Sequence, residues 1–312
     1  MTKYLVTGAA GFIGSNLAEH LIEQGEDVTG IDNFLAGKAA NVSHIKNRMN
    51  FVEGDIRDAT LMNELCSGID YVLHHAAMAS VPWSMKSPML AHEHNATGTL
   101  NVLLAARDNG VKKVVMAVTS AAYGETAVLP VHENLPTAAL SPYGATKLIG
   151  EIYLKLFSQI YGLPTVGLRY FNVFGKRQDP ESAYAAAIPI FARKLIRNES
   201  PVVFGDGTQT RDFVYIKDII QANLRACAAP DSVNGDVFNI GTGVQITVNE
   251  LIAHMQQLLG TNLDVFHAEE RAGDIKHSVA SIDKAKSILG YQPQYSVYDG
   301  LAEAIGWYRD NL

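Results

Sequence analysis

Residues 141–147 read SPYGATK and place Tyr143 and Lys147 four positions apart, so that on a helix they share one face. A free phenol has a pKa of about 10 and is a poor base at neutral pH. A neighbouring ammonium, the positive end of a helix or a cationic ring would each favour its phenolate. The same spacing also serves an ordinary amphipathic helix with a surface lysine and a part-buried tyrosine, and on spacing alone that second reading leads. A motif upstream reverses the balance. GAAGFIG, at 8–14, follows the strand-like LVT and opens a helical pattern. Gly8 would permit a tight turn, Gly11 the close approach of a diphosphate to a helix N-terminus, and Gly14 the packing of helix on strand. Asp32, at the end of the next strand-like run, would accept hydrogen bonds from an adenine-ribose diol and repel a 2′-phosphate. Asn33, Phe34 and Leu35 follow it without an arginine, so NAD is favoured over NADP.

These residues need a scaffold, and the chain supplies its pattern. Short β-branched runs (KYLVTG, DVTGID, NFVEGD, YVLHHAA, KVVMAVTS) alternate with helical stretches at 13–24, 59–66, 88–109 and from Pro142. Such alternation implies right-handed βαβ units and a doubly wound parallel sheet, a Rossmann α/β fold. Ser141 and Pro142 start the last helix, and Gly162 with Pro164 ends it. Beyond Gly167 the alternation weakens, with helical patches at 188–197 and 248–259 between loops. The expected division is a NAD-binding domain over 1–170 and a smaller, mainly substrate-binding α/β domain over 171–312, with some segments returning to the first.

Composition bounds the partners. The 312 residues carry a formal charge of −7, which leaves no basic surface for a nucleic-acid backbone. The longest uncharged apolar-rich stretch, 114–124, is too short to cross a bilayer, and the N-terminus lacks the ordered sections of a signal peptide. Cys66 and Cys227 lie far apart and read as reduced, part-buried side chains, which fits a cytoplasmic protein. His92 and His94 would point to different helix faces, and no cluster of cysteine or carboxylate completes a metal site.

GAAGFIG, TSAAYG, SPYGATK, LRYFNVFG and GDGTQTRDF, in that order and spread over essentially the whole chain, resemble the extended short-chain dehydrogenase/reductase family, in particular its nucleotide-sugar 4-epimerases. The resemblance implies a catalytic set of Tyr143 as base, Lys147 holding the nicotinamide ribose, and Thr119 bonding the reacting sugar oxygen. It implies a cofactor cradle of Gly8, Gly11, Phe12, Ile13, Gly14, Asp32, Asn33, Asp55, Ile56, Ala76, Ala77, Asn95 and Tyr170 beside the catalytic pair. For a UDP-sugar it implies Asn172, Val202 and Phe204 near the nucleotide, Arg211 and Arg271 on the diphosphate, Asp274 on the uridine ribose, and Ser80 and Ser120 near the sugar. It also implies a homodimer built on the helices that start at Pro88 and Pro142.

Three further positions bear on the sugar. Asp179 stands where relatives acting on UDP-glucuronate carry an arginine, and a carboxylate there would repel that substrate. Ser278 falls where a tyrosine excludes N-acetyl groups in some relatives, and serine leaves room for them. Trp83 replaces a residue that is often arginine in the N-acetylhexosamine branch. The expectation is a UDP-N-acetylglucosamine/UDP-N-acetylgalactosamine 4-epimerase with tightly bound NAD, the alternative being the UDP-glucose/UDP-galactose pair. A dehydratase of the family would need an Asp-Glu pair where Ser120 and Ala121 stand, and a non-catalytic NAD sensor would have lost Tyr143 or Lys147.

Overall fold

A computed structural model describes residues 1–181, 186–270 and 275–311. Its strands are β1 (Lys3–Thr7), β2 (Asp27–Asp32), β3 (Asn50–Glu53), β4 (Tyr71–His74), β5 (Lys113–Thr119), β6 (Thr165–Tyr170), β7 (Asn172–Phe174), β8 (Val202–Phe204), β9 (Thr210–Arg211), β10 (Phe213–Tyr215), β11 (Asp236–Ile240), β12 (Ile246–Thr247) and β13 (Phe266–Ala268). Between them run α1 (Phe12–Glu23), α2 (Ala59–Cys66), α3 (Val81–Lys86), α4 (Pro88–His92), α5 (Gly98–Asp108), α6 (Pro142–Tyr161), α7 (Ala187–Ile196), α8 (Ile216–Cys227), α9 (Val248–Leu259) and α10 (Val297–Asn311).

One seven-stranded sheet has the order β11-β6-β5-β4-β1-β2-β3, and all its pairings are parallel. This is the expected doubly wound α/β architecture. Strand order reverses between β1 and β4, and in open parallel sheets ligands bind in the crevice at that point, outside the carboxyl ends of the strands. The strand periodicity of two explains both cores. Leu5, Val72, Val114, Met116 and Val118 point to one face, under α2, α5 and α6; Tyr4, Val6, Leu73, Val115 and Ala117 point to the other, with α1 and α8 among the elements above them. β11, far along the chain, returns to pair with β6. Two-stranded ribbons β10-β7, β12-β9 and β13-β8 build the rest.

Local chemistry sets the helix ends. Asp58 caps α2, and Thr247 with Glu250 forms a reciprocal capping box at the start of α9, which Gly260 closes at φ 69°. The helix expected over 88–109 forms without a break from Pro88 to Asp108, with a π-helical turn, Glu93–Thr97, joining α4 to α5. No described helix is long and apolar enough to cross a membrane.

Candidate active site

β1 ends at Thr7, and the chain turns sharply into α1. Gly8 has φ +70°, and a Cβ on it would lie 2.8 Å from the backbone nitrogen of Ala76. A Cβ on Gly14 would lie 2.1 Å from the Gly8 carbonyl oxygen. These two glycines are therefore demanded by the packing of the protein on itself. Gly11 differs: its Cβ would meet only the Gly8 oxygen, at 3.1 Å, and it is the N-cap of α1 with no side-chain cap. The positive end of α1 is left open to an anion.

Asp32 closes the next side of the crevice. It is 7% exposed and accepts from the N–H of Ala10 at 2.9 Å and of Phe34 at 2.7 Å. Burial pushes its pKa up, and the hydrogen bonds from Phe34, Ala10 and Gly11 oppose that rise. Phe34 has φ 57°, a left-handed turn that carries the chain back along the crevice.

The residues expected to react stand on β5 and α6. Ser141 caps α6 through Gly144 N–H at 3.1 Å, with Pro142 in the first turn. The Tyr143 N–H donates to Ser84 Oγ at 3.0 Å, tying the start of α6 to α3. One turn on, Lys147 is 3% exposed and its Nζ donates to the Ala117 carbonyl at 2.8 Å. Thr119 ends β5, and its Oγ1 accepts from Ala121 N–H at 3.1 Å. Burial lowers the Lys147 pKa to about 8. Burial raises that of Tyr143, and the hydrogen bond with the Thr119 side chain works against the rise. Burial by the polypeptide alone thus favours the neutral phenol.

One cavity of about 670 Å³ joins these parts. Its wall includes Gly8, Gly11, Phe12, Ile13, Gly14, Asp32, Asn33, Ile56, Ala76, Ala77, Thr119, Tyr143, Lys147 and Tyr170. Its size and its glycine-lined helix end, where Gly11 leaves room that a side chain would fill, suit a dinucleotide. The Tyr170 hydroxyl accepts from Asn223 Nδ2 at 2.7 Å and bonds His75 Nε2 at 3.0 Å.

Other expected site residues stand elsewhere. The Asp55 carboxylate is held by Asn33 at 2.8 Å and by Arg57; burial works against ionisation, but those bonds keep its pKa at about 2. Asn95 is buried, with its amide on Met78 N–H (2.8 Å) and Thr146 Oγ1 (3.0 Å), so it braces the loop after β4 against α6 and does not line the cavity. Ser80 Oγ accepts from Trp83 N–H at 3.2 Å and thereby caps α3. Ser120 lies in the 3₁₀ turn after β5. Asn172 Nδ2 reaches the Asp212 carbonyl at 3.2 Å. Val202 and Phe204 are 36% and 38% exposed on one face of β8. Arg211 donates to the carbonyls of Thr210 and Lys276, and the Ser278 N–H bonds the Thr210 oxygen at 3.2 Å. None of these forms part of the cavity wall. Arg271 and Asp274 lie outside the described residues. His92 is exposed and His94 buried, so the two do not share a face.

Asp179 requires a correction. It lines the cavity, yet its carboxylate is not a bare charge aimed at a substrate: Lys38 Nζ lies 2.7 Å from its Oδ1. The pairing weakens the repulsion expected of a bare carboxylate at this position. The wall also contains His75, Ala79, Leu35, Ala36, Gly37, Lys38 and Gln178, which the sequence reading did not assign to the site. Only His75 had a usable signal, the end of a strand at the cofactor edge. Lys38 and Gln178 sit on loops whose course no periodicity reports.

Comparison with known proteins supplies the family. Residues 4–241 match the model of the NAD dependent epimerase/dehydratase family. A "Putative UDP-glucose 4-epimerase" from Methanocaldococcus jannaschii is 40% identical over 309 residues, 98% of either chain. Among solved structures, a UDP-N-acetylglucosamine 4-epimerase from Methanobrevibacter ruminantium, in complex with UDP-N-acetylmuramic acid, is 38% identical with a TM-score of 0.95, covering 100% of this chain and 99% of that one. A UDP-glucose 4-epimerase from Thermus thermophilus, in complex with NAD, is 34% identical with a TM-score of 0.90 over the whole of both chains. The phosphate-binding turn, the Tyr-Lys pair and the match along 4–241 agree, and the chain belongs to the NAD dependent epimerase/dehydratase family, with NAD as its cofactor.

Proposed function

We propose that the protein is a nucleotide-sugar 4-epimerase that interconverts UDP-N-acetylglucosamine and UDP-N-acetylgalactosamine. The observation that carries the reaction is the meeting of Thr119, Tyr143 and Lys147 in one cavity with Gly11 and Asp32. Bound NAD supplies reversible oxidation at sugar C4. The chain's own residues do the rest. The open N-terminus of α1 receives the diphosphate, and Asp32 receives the adenine ribose. Tyr143, as phenolate, takes the proton of the sugar 4-hydroxyl directly or across Thr119 Oγ1, while Lys147 holds the nicotinamide ribose and stabilises that phenolate. The 4-keto sugar then turns its other face inward, and Tyr143 gives the proton back. Nothing is oxidised or reduced overall, so the cofactor stays bound between turnovers. Ser120 and Ala121 offer no acid-base pair to expel water, which argues against dehydration.

The sugar assignment rests on the resemblance that puts the small Ser278, outside the cavity wall, where a bulky residue would exclude an acetamide, and on likeness to the M. ruminantium enzyme. UDP-glucose and UDP-galactose are the second reading, favoured by the names of the M. jannaschii and T. thermophilus relatives, because a small gate admits plain hexoses too. We further propose a cytoplasmic homodimer. Ile152, Leu156 and Ile160 are exposed at four-residue spacing on α6, with exposed Met85 and Met89 on the neighbouring α3 and α4, an apolar stripe suited to a second copy. The test is to incubate purified protein, with no added NAD, separately with UDP-N-acetylglucosamine, UDP-glucose and UDP-glucuronate and to follow the sugar protons by NMR. Conversion of the first supports the proposal; comparable conversion of the first two makes the enzyme dual; conversion of none removes the epimerase reading.

A further inference from the structure

Residues 175–181, which follow β7, contribute Gln178 and Asp179 to the cavity wall and are tied to the first part of the chain at two places. The first is a buried pin. Arg177, 6% exposed, donates to Asn16 Oδ1 at 3.0 Å, to the Asn41 carbonyl at 3.2 Å and to Glu19, while Asn16 Nδ2 returns a bond to the Lys176 carbonyl at 3.1 Å. The second is accessible. Lys38 and Asp179 both line the cavity and meet at 2.7 Å, with their side chains 49% and 26% exposed. Each partner is braced from behind: the Lys38 N–H donates to the Ala10 carbonyl in the glycine loop at 3.0 Å, and Asp179 Oδ1 also accepts from Glu181 N–H at 2.8 Å. The pin fixes where the loop runs, and the exposed pair is the point at which it can let go.

We infer that the Lys38–Asp179 ion pair is a latch that retains bound NAD by tying the loop after β7 to the loop after β2 across the crevice. The inference rests on NAD occupying this crevice. It explains a need of the proposed reaction: a cofactor that is returned to its starting state each cycle gains nothing by leaving. A partly exposed pair is screened by salt and contributes modestly, so the latch sets a release rate and does not by itself create the site.

The test follows loss of NAD from purified holoenzyme diluted into NAD-free buffer, with the released nucleotide measured by chromatography. Lys38→Met and Asp179→Asn should each speed release roughly twofold to fivefold. The double variant should be no faster than the faster single, the exchange Lys38→Asp with Asp179→Lys should restore slow release, and added salt should speed release from the unmodified protein and the exchange variant but not from the variants that lack the pair. Multiplicative single effects, or no rescue by the exchange, would overturn the latch. An effect of Lys38→Met alone would overturn it too, by placing the ammonium on the cofactor. Gly11→Val serves as the control for the site: if it still carries NAD, the crevice assignment fails and the latch with it. If it arrives without NAD while the Lys38 and Asp179 variants release at the unmodified rate, only the latch fails.

Discussion

Lys147 Nζ donates to the backbone carbonyl of Ala117 at 2.8 Å, and Ala117 lies two residues before Thr119 on β5. The lysine of α6 is thus anchored to the strand that ends in Thr119, whose side chain hydrogen-bonds that of Tyr143, one turn earlier on α6. The three groups are positioned by regular elements, and their geometry does not depend on a mobile loop.

Lys147 should titrate early. Burial lowers its pKa to about 8 from an ordinary 10.5. The unfolded chain then binds more protons than the folded one between those values, so this group makes the cofactor-free protein more stable as pH rises from 8 toward 10.5. NMR of labelled lysine in the cofactor-free protein should show one side chain with a midpoint near 8, absent in Lys147→Met. A set of lysines all titrating at the ordinary value would contradict the burial argument.

Tyr143→Phe should lower kcat by roughly 10²–10⁴, the range for losing a positioned general base. Bound NAD should be unchanged, because the phenyl ring still fills its place. Thr119→Val should cost less. Steady-state rates beside the nucleotide content of each purified variant decide the matter, and a fully active Tyr143→Phe would remove the base.

The glycines should separate by role. Gly14→Ala puts a methyl 2.1 Å from the Gly8 oxygen and should yield little folded protein. Gly11→Ala meets one oxygen at 3.1 Å and should fold, with a near-native circular dichroism spectrum and Tm for the cofactor-free form, while NAD binding weakens. Equal damage to folding from both would show that Gly11 serves packing alone.

Glu19 gives a signed dependence of stability on pH. Burial would raise its pKa, but the hydrogen bond from Lys176 and the charge of Arg177 hold it at about 2, below the ordinary 4.5. Its contribution is fully present above pH 4.5 and is lost as pH falls through about 2. Glu19→Gln should therefore lower Tm at neutral pH, and the gap from the unmodified protein should close as acid is added. A constant gap across pH would show that the charge is irrelevant.

Ser278→Tyr should depress turnover of UDP-N-acetylglucosamine more than that of UDP-glucose, read as the ratio of their kcat/KM values. An unchanged ratio would remove Ser278 from the sugar site.

Much of this architecture was legible beforehand because it is local. The α2 and α9 segments read from periodicity, 59–66 and 248–259, end where the helices end, since Asp58, Thr247 with Glu250, and Gly260 satisfy helix termini within a few residues. The helix expected over 88–109 also forms, and only its internal turn went unread. Its residues are all compatible with a helix, and the π segment at 93–97 leaves no compositional trace.

The sequence by itself determined the glycine-rich turn into α1, the acidic residue at the end of β2, the Tyr-Lys face of α6 and the alternation that folds into a parallel sheet. Each is set by spacings of a few residues, where backbone geometry dictates which side chains can meet. Only the tertiary structure decided which long-range neighbours satisfy or occupy those groups: that Asn95 and Asp55 spend their polar atoms on the protein, that Lys147 is desolvated against β5, and that Asp179 is paired across the crevice with Lys38. Those outcomes depend on where segments from 17 residues apart (Met78 and Asn95) to more than a hundred apart (Lys38 and Asp179) come to rest, and charge, burial and pKa follow from that meeting and not from residue type.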